Sequence, residues 1–397
     1  MGEDGSADDH GSGPGRVVLA LRLLTGAING EVLISGDRIL TVGDRSSFEI
    51  PPGVPAIDCN NARIVPGLCN AHVHFFERKW SGAAAAPVEE LDAQLEDFTR
   101  YGFTTVFDLS SALENTIALR DRIARGEVAG PRIRSTGEGF VAPGALPPPV
   151  VMSVMGIEPM PLPEISDARE AARAADALID AGVDGLKVFL SSNSGQPVVD
   201  PDALRAIVER AHHANKPVFA HPNTADDVRM ALHAGVDVLA HTTPRSGPWA
   251  EEILAAARER RVALIPTLSL WKQLMRHDRR SIQQRMVDVA VEQLRAWRGA
   301  GGVVLFGTDY GAVDADPSDE YDLMQRAGMS IDEIVASMTS VPAEFFGETD
   351  RGRLAPGYYA DLAVVDATDL TRALMTMRDG EIIRTGVRCL PREGRGP

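Results

Sequence analysis

Cysteine is scarce in this chain of 397 residues, with three thiols only, at Cys59, Cys69 and Cys389. So few, so scattered, build neither a disulfide framework nor a CxxC zinc site. Positive charge is also short: 40 Lys and Arg against 56 Asp and Glu leave a net charge of −16. That balance excludes a nucleic-acid partner, because phosphate binding needs clustered basic residues. Long hydrophobic runs are missing too. The apolar stretch Val17 to Leu24 is short and broken by Arg22, so it reads as a strand and not as a signal peptide or membrane span. The expectation is an acidic, cytoplasmic protein that acts on a small molecule, without a membrane partner.

What is present is an ordinary globular composition, 44% hydrophobic and 24% charged. Residues 1–15, acidic and glycine-rich, read as a disordered tail. From Val17 to Ile64 the pattern is short strands separated by Gly-Asp turns, and YADLAVVDA and ALMTMRDGEIIRTG repeat that style near the far end. Two β-rich ends around a long middle predict one small β-domain formed from both termini, over 16–64 plus 353–390.

The middle, 65–352, alternates strand with helix, the mark of parallel βα units. Strand-like runs fall at Ile64–His74, Thr104–Asp108, Arg132–Thr136, Gly185–Leu190, Pro217–His221, Val236–His241, Val262–Pro266 and Val303–Asp309. Between most of them lie amphipathic stretches such as AREAARAADALIDAG. Eight strands close a barrel, so a (β/α)8 TIM barrel is predicted, although a doubly wound sheet would alternate in the same way.

Polar residues collect at the ends of those strands. His72 and His74 end the first as HVH, two apart and therefore on one side. Lys187 lies in the fourth, His221 ends the fifth, His241 the sixth and Asp309 the eighth. A barrel brings these ends to one face, where active sites sit. One such histidine is most often a hydrogen-bonded core residue, and Asp309 could cap a helix. Four histidines and an aspartate on separate strand ends, all facing one way, are far less expected by chance than a single one. His212, His213, His233 and His277 fall on helical stretches, and His10 in the tail, so they are assigned to the surface or to packing. Lys187 sits in an apolar strand, GLKVFL, where a charged amine is costly. It is either a neutral amine able to add carbon dioxide or a lysine paired with Asp309, and chemistry alone does not separate the two.

PGLCNAHVHF, the lysine strand, AHPN, LAHTTP, FGTDYG and RGRLAPGYYADLAVVD together resemble the amidohydrolase superfamily, from about Val17 to about Arg384. Within it the resemblance is to the imidazolonepropionase-like and metal-dependent prolidase-like amidohydrolases. It implies a first metal held by His72, His74 and Asp309, and a second by His221 and His241. Carbamylated Lys187 would bridge the pair. The implied chemistry is attack on a C–N bond by a hydroxide shared between the two metals, with Asp309 as general acid and base and His241 beside it as a catalytic residue. Zinc suits such ligands best, though Mn2+, Fe2+, Co2+ or Ni2+ could replace it. The prolidase-like pattern has HAHG and EHG where this chain has HPNT and AHTT, so Asn223, Ala240 and Thr242 depart from it. That leaves the ligands intact and the prolidase substrate class open.

The same centre would serve a lactone, carbamate or organophosphate ester hydrolase, or, less readily given Lys187, a deaminase. A non-catalytic scaffold would have lost ligands. Arg78 and Lys79 could receive a substrate carboxylate; Trp80, Trp271, Tyr310 and Ser191–Asn193 could line the pocket, or only pack. The stretch Val141 to Glu164, rich in Pro and Met, is expected to act as an apolar lid or to pack on a second copy of the chain. The sequence allows a homo-oligomer without specifying one.

Overall fold

The computed structural model describes residues 21–24, 30–44, 47–49, 54–59, 62–145, 162–190, 197–314, 316–366, 369–386 and 389–392. The predicted tail, Ser191–Asn193 and most of the Val141 to Glu164 stretch lie outside them.

Chain segments from both ends share two sheets. β1 (Leu21–Leu24), β2 (Gly30–Ser35), β3 (Arg38–Asp44) and β4 (Ala56–Asp58) form one of them with a strand from the far end, β17 (Leu390–Arg392), in the order β17-β4-β1-β2-β3. β5 (Ala62–Pro66) pairs antiparallel with β14 (Leu362–Asp366), which continues to β15 (Ala373–Arg378) and β16 (Glu381–Thr385). Val32, Ile34, Ile39, Ile64, Leu362, Val364, Met375 and Met377 make a buried cluster between them.

The middle is a TIM-barrel-like α/β fold. A parallel sheet of β6 (Leu68–Val73), β7 (Phe103–Asp108) and β8 (Arg132–Ser135) stands beside a parallel sheet of five strands. Those five are β9 (Leu186–Phe189), β10 (Val218–His221), β11 (Val238–Ala240), β12 (Ala263–Ile265) and β13 (Val303–Val304). Hydrogen bonds link the two sheets at both edges. On one side the Ala71 N–H donates to the Phe306 carbonyl (2.8 Å) and the Asp309 N–H to the His72 carbonyl (2.9 Å). On the other, the Phe140 N–H donates to the Lys187 carbonyl (2.8 Å) and the Phe189 N–H to the Phe140 carbonyl (2.9 Å). Phe107, Phe219, Val238, Ala263, Ile265 and Leu305 form a buried apolar cluster among the strands of the two sheets.

Helices follow the strands where the sequence supplies caps. Asp200 accepts the N–H groups of Asp202 and Ala203 ahead of Pro201–His213. Thr224 and Asp227 cap each other's backbone at Ala225–Ala234, which stops at Gly235.

Three expectations change. The run Ile64–His74 is two strands in different sheets, broken at Gly67, where a Cβ would lie 2.3 Å from the Thr104 hydroxyl oxygen. Glycine is the residue that lets the chain cross so close to β7. The eighth run keeps a paired ladder only at Val303–Val304; beyond it single backbone hydrogen bonds to the neighbouring strands, such as Leu305 N–H to the Leu264 carbonyl (2.9 Å), continue toward Asp309. Finally, Cys59 and Cys389 form a disulfide across 330 residues. The antiparallel pairing of β17 with β4 brings the two cysteines together, which spacing along the chain cannot reveal. A disulfide weighs against the expected reducing, cytoplasmic location. Among the described residues no helix is long and apolar enough to cross a membrane.

Candidate metal centre

His72 and His74 leave β6 on one side of the strand, as alternation requires. Their Nε2 atoms lie 3.3 Å apart. Both face Oδ1 of Asp309, at 3.1 Å from His72 and 2.9 Å from His74. Asp309 reaches this point through a left-handed backbone, φ +61°. Gly307 makes room just before it, since a Cβ there would sit 2.7 Å from the Cβ of His72. Asn70 joins the two chain segments: its Nδ2 donates to Thr308 Oγ1 (2.8 Å) and its Oδ1 accepts the backbone N–H groups of His72 and Thr308 (3.2 Å each).

His241 follows β11 with φ +91°, another non-glycine residue in the left-handed region. Such backbones are costly and gather at functional sites. Its ring centre is 4.7 Å from that of His72 and 4.4 Å from that of His221, which ends β10. Lys187, on β9, is fully buried, and its Nζ has no hydrogen-bond partner among the described residues. The ion pair with Asp309 weighed from the sequence does not form: Asp309 Oδ1 faces His72 and His74, and the Lys187 amine makes no ion pair among the described residues.

Burial dominates the electrostatics. It pushes the imidazoles of His72 and His221 down to about 3 and that of His241 well below its ordinary value, so all three rings are neutral near pH 7. Burial also brings the Lys187 amine down to about 7, against the pull of Asp309 and Asp108. On Asp309 burial acts upward, but the His72 ring and hydrogen bonds from His72 and His74 outweigh it and hold the carboxyl well below the usual range. Neutral imidazoles beside an ionised carboxylate are ligands in their binding form.

The outward nitrogens are held as well. His74 Nδ1 lies 3.1 Å from the Ser110 carbonyl oxygen, and His241 Nδ1 2.6 Å from Thr267 Oγ1. Ser110 and Thr267 are themselves left-handed, at φ +111° and +43°. Each sits next to a buried carboxylate that ties its turn. Asp108 accepts the hydroxyls of Ser111 (2.5 Å), Ser135 (2.7 Å) and Thr116 (3.4 Å), and burial raises it to about 6. Glu320 accepts the N–H groups of Leu268 (2.9 Å) and Ser269 (2.8 Å), and burial raises it to about 7. Sequence reasoning missed all four residues. Asp108 carried a signal, an acid ending an apolar strand as Asp309 does; Ser110, Thr267 and Glu320 carried none.

Several candidates fall elsewhere. Lys79 is engaged by Glu77 (3.1 Å), Asp97 (3.2 Å) and the Tyr310 hydroxyl (2.5 Å), so its amine is not free for a substrate carboxylate. Tyr310 points away from the metal ligands, with its ring on Phe98 and its hydroxyl donating to Asp97. Trp80 is core, edge-to-face with Phe75 and stacked on Phe98. The Trp271 indole donates to Thr242 Oγ1 (2.8 Å), one residue from His241. At the foot of the predicted lid, Val141, Ala142 and Ala145 are buried, and the Val141 N–H donates to the Pro163 carbonyl (3.0 Å).

His72, His74 and Asp309 place one ligand atom each within 4.8 Å of one another, a donor set that suits a divalent cation. The pattern that defines the Amidohydrolase family matches residues 63–388, most of the chain. The chain belongs to that family. As an amidohydrolase it is a metal-dependent hydrolase. It is similar to an ochratoxinase of Aspergillus niger, 24% identical over 385 residues that span 86% of this chain and 78% of the relative. An imidazolonepropionase of Streptomyces coelicolor is 26% identical over 374 residues, 85% of each chain. Among solved structures, a Xaa-Pro dipeptidase with methionine bound in its active site shares the fold, with a TM-score of 0.74, 22% identity, and 91% and 97% of the two chains covered.

Proposed function

We propose that this amidohydrolase cleaves a C–N bond, amide, peptide-like or cyclic amide, in a small substrate with an apolar group. The observation that carries the reading is Lys187: a fully buried amine with no hydrogen-bond partner among the described residues, near histidines with neutral rings and an ionised aspartate. An amine left this way in an apolar interior is costly, and addition of carbon dioxide would turn it into an anionic oxygen ligand. His72, His74 and Asp309 would hold one divalent ion, His221 and His241 a second, and carbamylated Lys187 would join them. Zinc fits the histidine-rich set best. When bound, such ions supply Lewis acidity and an acidified water.

The chain's own groups do the rest. Asp309 is the buried carboxylate in contact with both β6 histidines, and it would take a proton from the attacking water and return it to the leaving nitrogen. His241 is held through Nδ1 by Thr267, and its ring lies beside those of His72 and His221. The surrounding architecture is read as a closed (β/α)8 barrel over 65–352, supported by the hydrogen bonds at both sheet edges, with a β-domain from 16–64 and 353–390. A peptide-like bond agrees with the dipeptidase among the similar folds. The departures at Asn223, Ala240 and Thr242 surround the ligands and would alter the substrate.

The test is a hydrolysis screen of metal-loaded protein on N-acyl amino acids, dipeptides, cyclic amides, lactones and carbamates. Turnover of an amide or peptide that a chelator abolishes is the expected result. Turnover of lactones or carbamates alone would replace the C–N reading with ester hydrolysis.

A further inference from the structure

An open groove of about 990 Å³ runs across the lower ends of β9 to β13, away from the metal centre. Residues that lead into those strands border it, among them Asp184, Lys216, Asp237 and Arg261. Its floor is apolar. Val303, Val341, Phe345 and Phe346 are only half-buried, and they pack against the buried cluster that holds Phe107 and Phe219. The Phe346 ring lies 5.3 Å from that of Phe107, 6.2 Å from Phe219 and 5.3 Å from Phe345. The floor is therefore built by the fold itself, and leaving it in contact with water costs free energy.

The walls are charged. Five cations line them, Arg134, Lys216, Arg260, Arg261 and Arg298, against four carboxylates, Asp184, Asp237, Glu333 and Glu344. Each carboxylate already has a partner. Asp184 meets Arg134 (3.5 Å), Asp237 meets His212 (2.9 Å), Glu333 meets Arg298 (2.8 Å), and Glu344 meets Arg261 at a loose 3.9 Å. Lys216 and Arg260 form no ion pair among the described residues. With His212 neutral the groove keeps one positive charge in excess, on a chain whose net charge is −16.

We propose that this groove binds an amphipathic monocarboxylate, with an apolar body on the phenylalanine floor and the carboxylate drawn to Lys216 and Arg260. A guanidinium fork matches a carboxylate, and a single negative charge matches the excess in the lining. Apolar surface with a few charged groups is the usual make-up of a small-molecule site. The groove is separate from the metal centre. Pro217 borders it, while His221 ends the same strand about 13 Å further on at the rise of a strand. Phe219 and Ala220, both buried, lie between. The proposal needs neither a metal nor the C–N reading, since the groups assigned to cleavage are at the other end of the strands.

Titration calorimetry with decanoate, below its micelle-forming concentration, tests the proposal on metal-free and on metal-loaded protein. One equivalent should bind in both states. The double variant Lys216→Glu plus Arg260→Glu should weaken that binding at least about 10-fold, because repulsion replaces two attractive contacts. Arg280→Glu plus Arg285→Glu, on the helix Arg280–Gly299, makes the same change in net charge outside the groove and should leave affinity within about twofold. Phe345→Ala should also weaken decanoate; where it does not fold, the two double variants decide. Acetate, which has the head without the body, and decyltrimethylammonium, which has the body with the opposite charge, should not bind measurably. Absence of decanoate binding, equal losses in both double variants, or equal affinity for the cationic amphiphile would each overturn the proposal. Decanoate that binds only to metal-loaded protein would overturn it as well, by placing the carboxylate at the metal centre.

Discussion

At the start of β8, Arg132 meets Asp361 (3.3 Å) and Asp379 (2.9 Å), while Arg351 reaches the same two carboxylates, Asp379 at 2.8 Å. Arg134 alongside pairs with Asp184 and Glu348. At the opposite ends of the strands, Lys187 Nζ and His72 Nδ1 are buried without any hydrogen-bond partner among the described residues. The lower end of the barrel neutralises its charges and joins the strands to the terminal sheets. The upper end leaves Lys187 Nζ and His72 Nδ1 unsatisfied among the described residues, at a cost in stability; at the lower end Arg134 Nε is also without a partner, but the Nη atoms of that guanidinium pair with Asp184 and Glu348. Stability and function are thus built at opposite ends of the same strands.

The contrast is sharpest at Asp309. Asp309→Asn should lower kcat of the metal-loaded enzyme about 10²–10⁴-fold while much of the metal remains bound. Rate constants with elemental analysis check this, and an unchanged kcat removes Asp309 from the chemistry.

Lys187→Met should abolish activity and reduce metal content, yet make the metal-free protein more stable than wild type, because it replaces a buried amine that has no hydrogen-bond partner among the described residues with an apolar side chain of similar length. The pH dependence gives the sign. Between about 7 and the ordinary 10.5, the unfolded chain keeps a proton that folded Lys187 has released, so the metal-free wild type gains stability as pH rises through that window. Urea unfolding at several pH values should show that gain, and the Met variant should lack it. Equal slopes for both would mean that Lys187 is not a depressed amine.

Glu320 should behave with the opposite sign. Its folded value of about 7 lies above the ordinary 4.5, so the folded chain holds a proton that the unfolded chain has lost. Stability from this group is present below 4.5 and declines as pH rises to about 7. Glu320→Gln should flatten that decline in thermal melts. A variant that melts with the wild-type pH profile would show that Glu320 is ionised throughout.

At the lower end, Arg132→Gln should cost about 2–3 kcal/mol, as expected for lost hydrogen bonds to charged groups, and leave kcat within about twofold. A large fall in kcat would break the division between the two ends. The smallest effect concerns the thiols. Denatured, unreduced protein should titrate one thiol, Cys69, since Cys59 and Cys389 are paired. The native protein should react slowly even there, because burial pushes Cys69 up to about 12. Three thiols on denaturation would return the chain to a reduced state.

The sequence by itself determined the chemistry-bearing residues and their order. His72, His74, His221, His241 and Asp309 stand at the ends of strand-like runs and Lys187 lies within one, while the alternation of strand with helix left a barrel and a doubly wound sheet both open until the resemblance chose between them. Period and spacing carry that information because each strand places its own residues without help from the rest. The tertiary structure decided what depends on contacts between distant segments: the break at Gly67 under Thr104, the pairing of Cys59 with Cys389, and the diversion of Lys79 and Tyr310 to Asp97. It also decided which turns adopt left-handed backbones. Ser110 and Thr267 are ordinary residues in the sequence, and only the buried Asp108 and Glu320 beside them make those conformations affordable. Asp108 is close to Ser110 in the chain, but its partner Ser135 is 27 residues from it, and Glu320 is 51 and 52 residues from the two N–H groups it accepts, which a local pattern cannot encode.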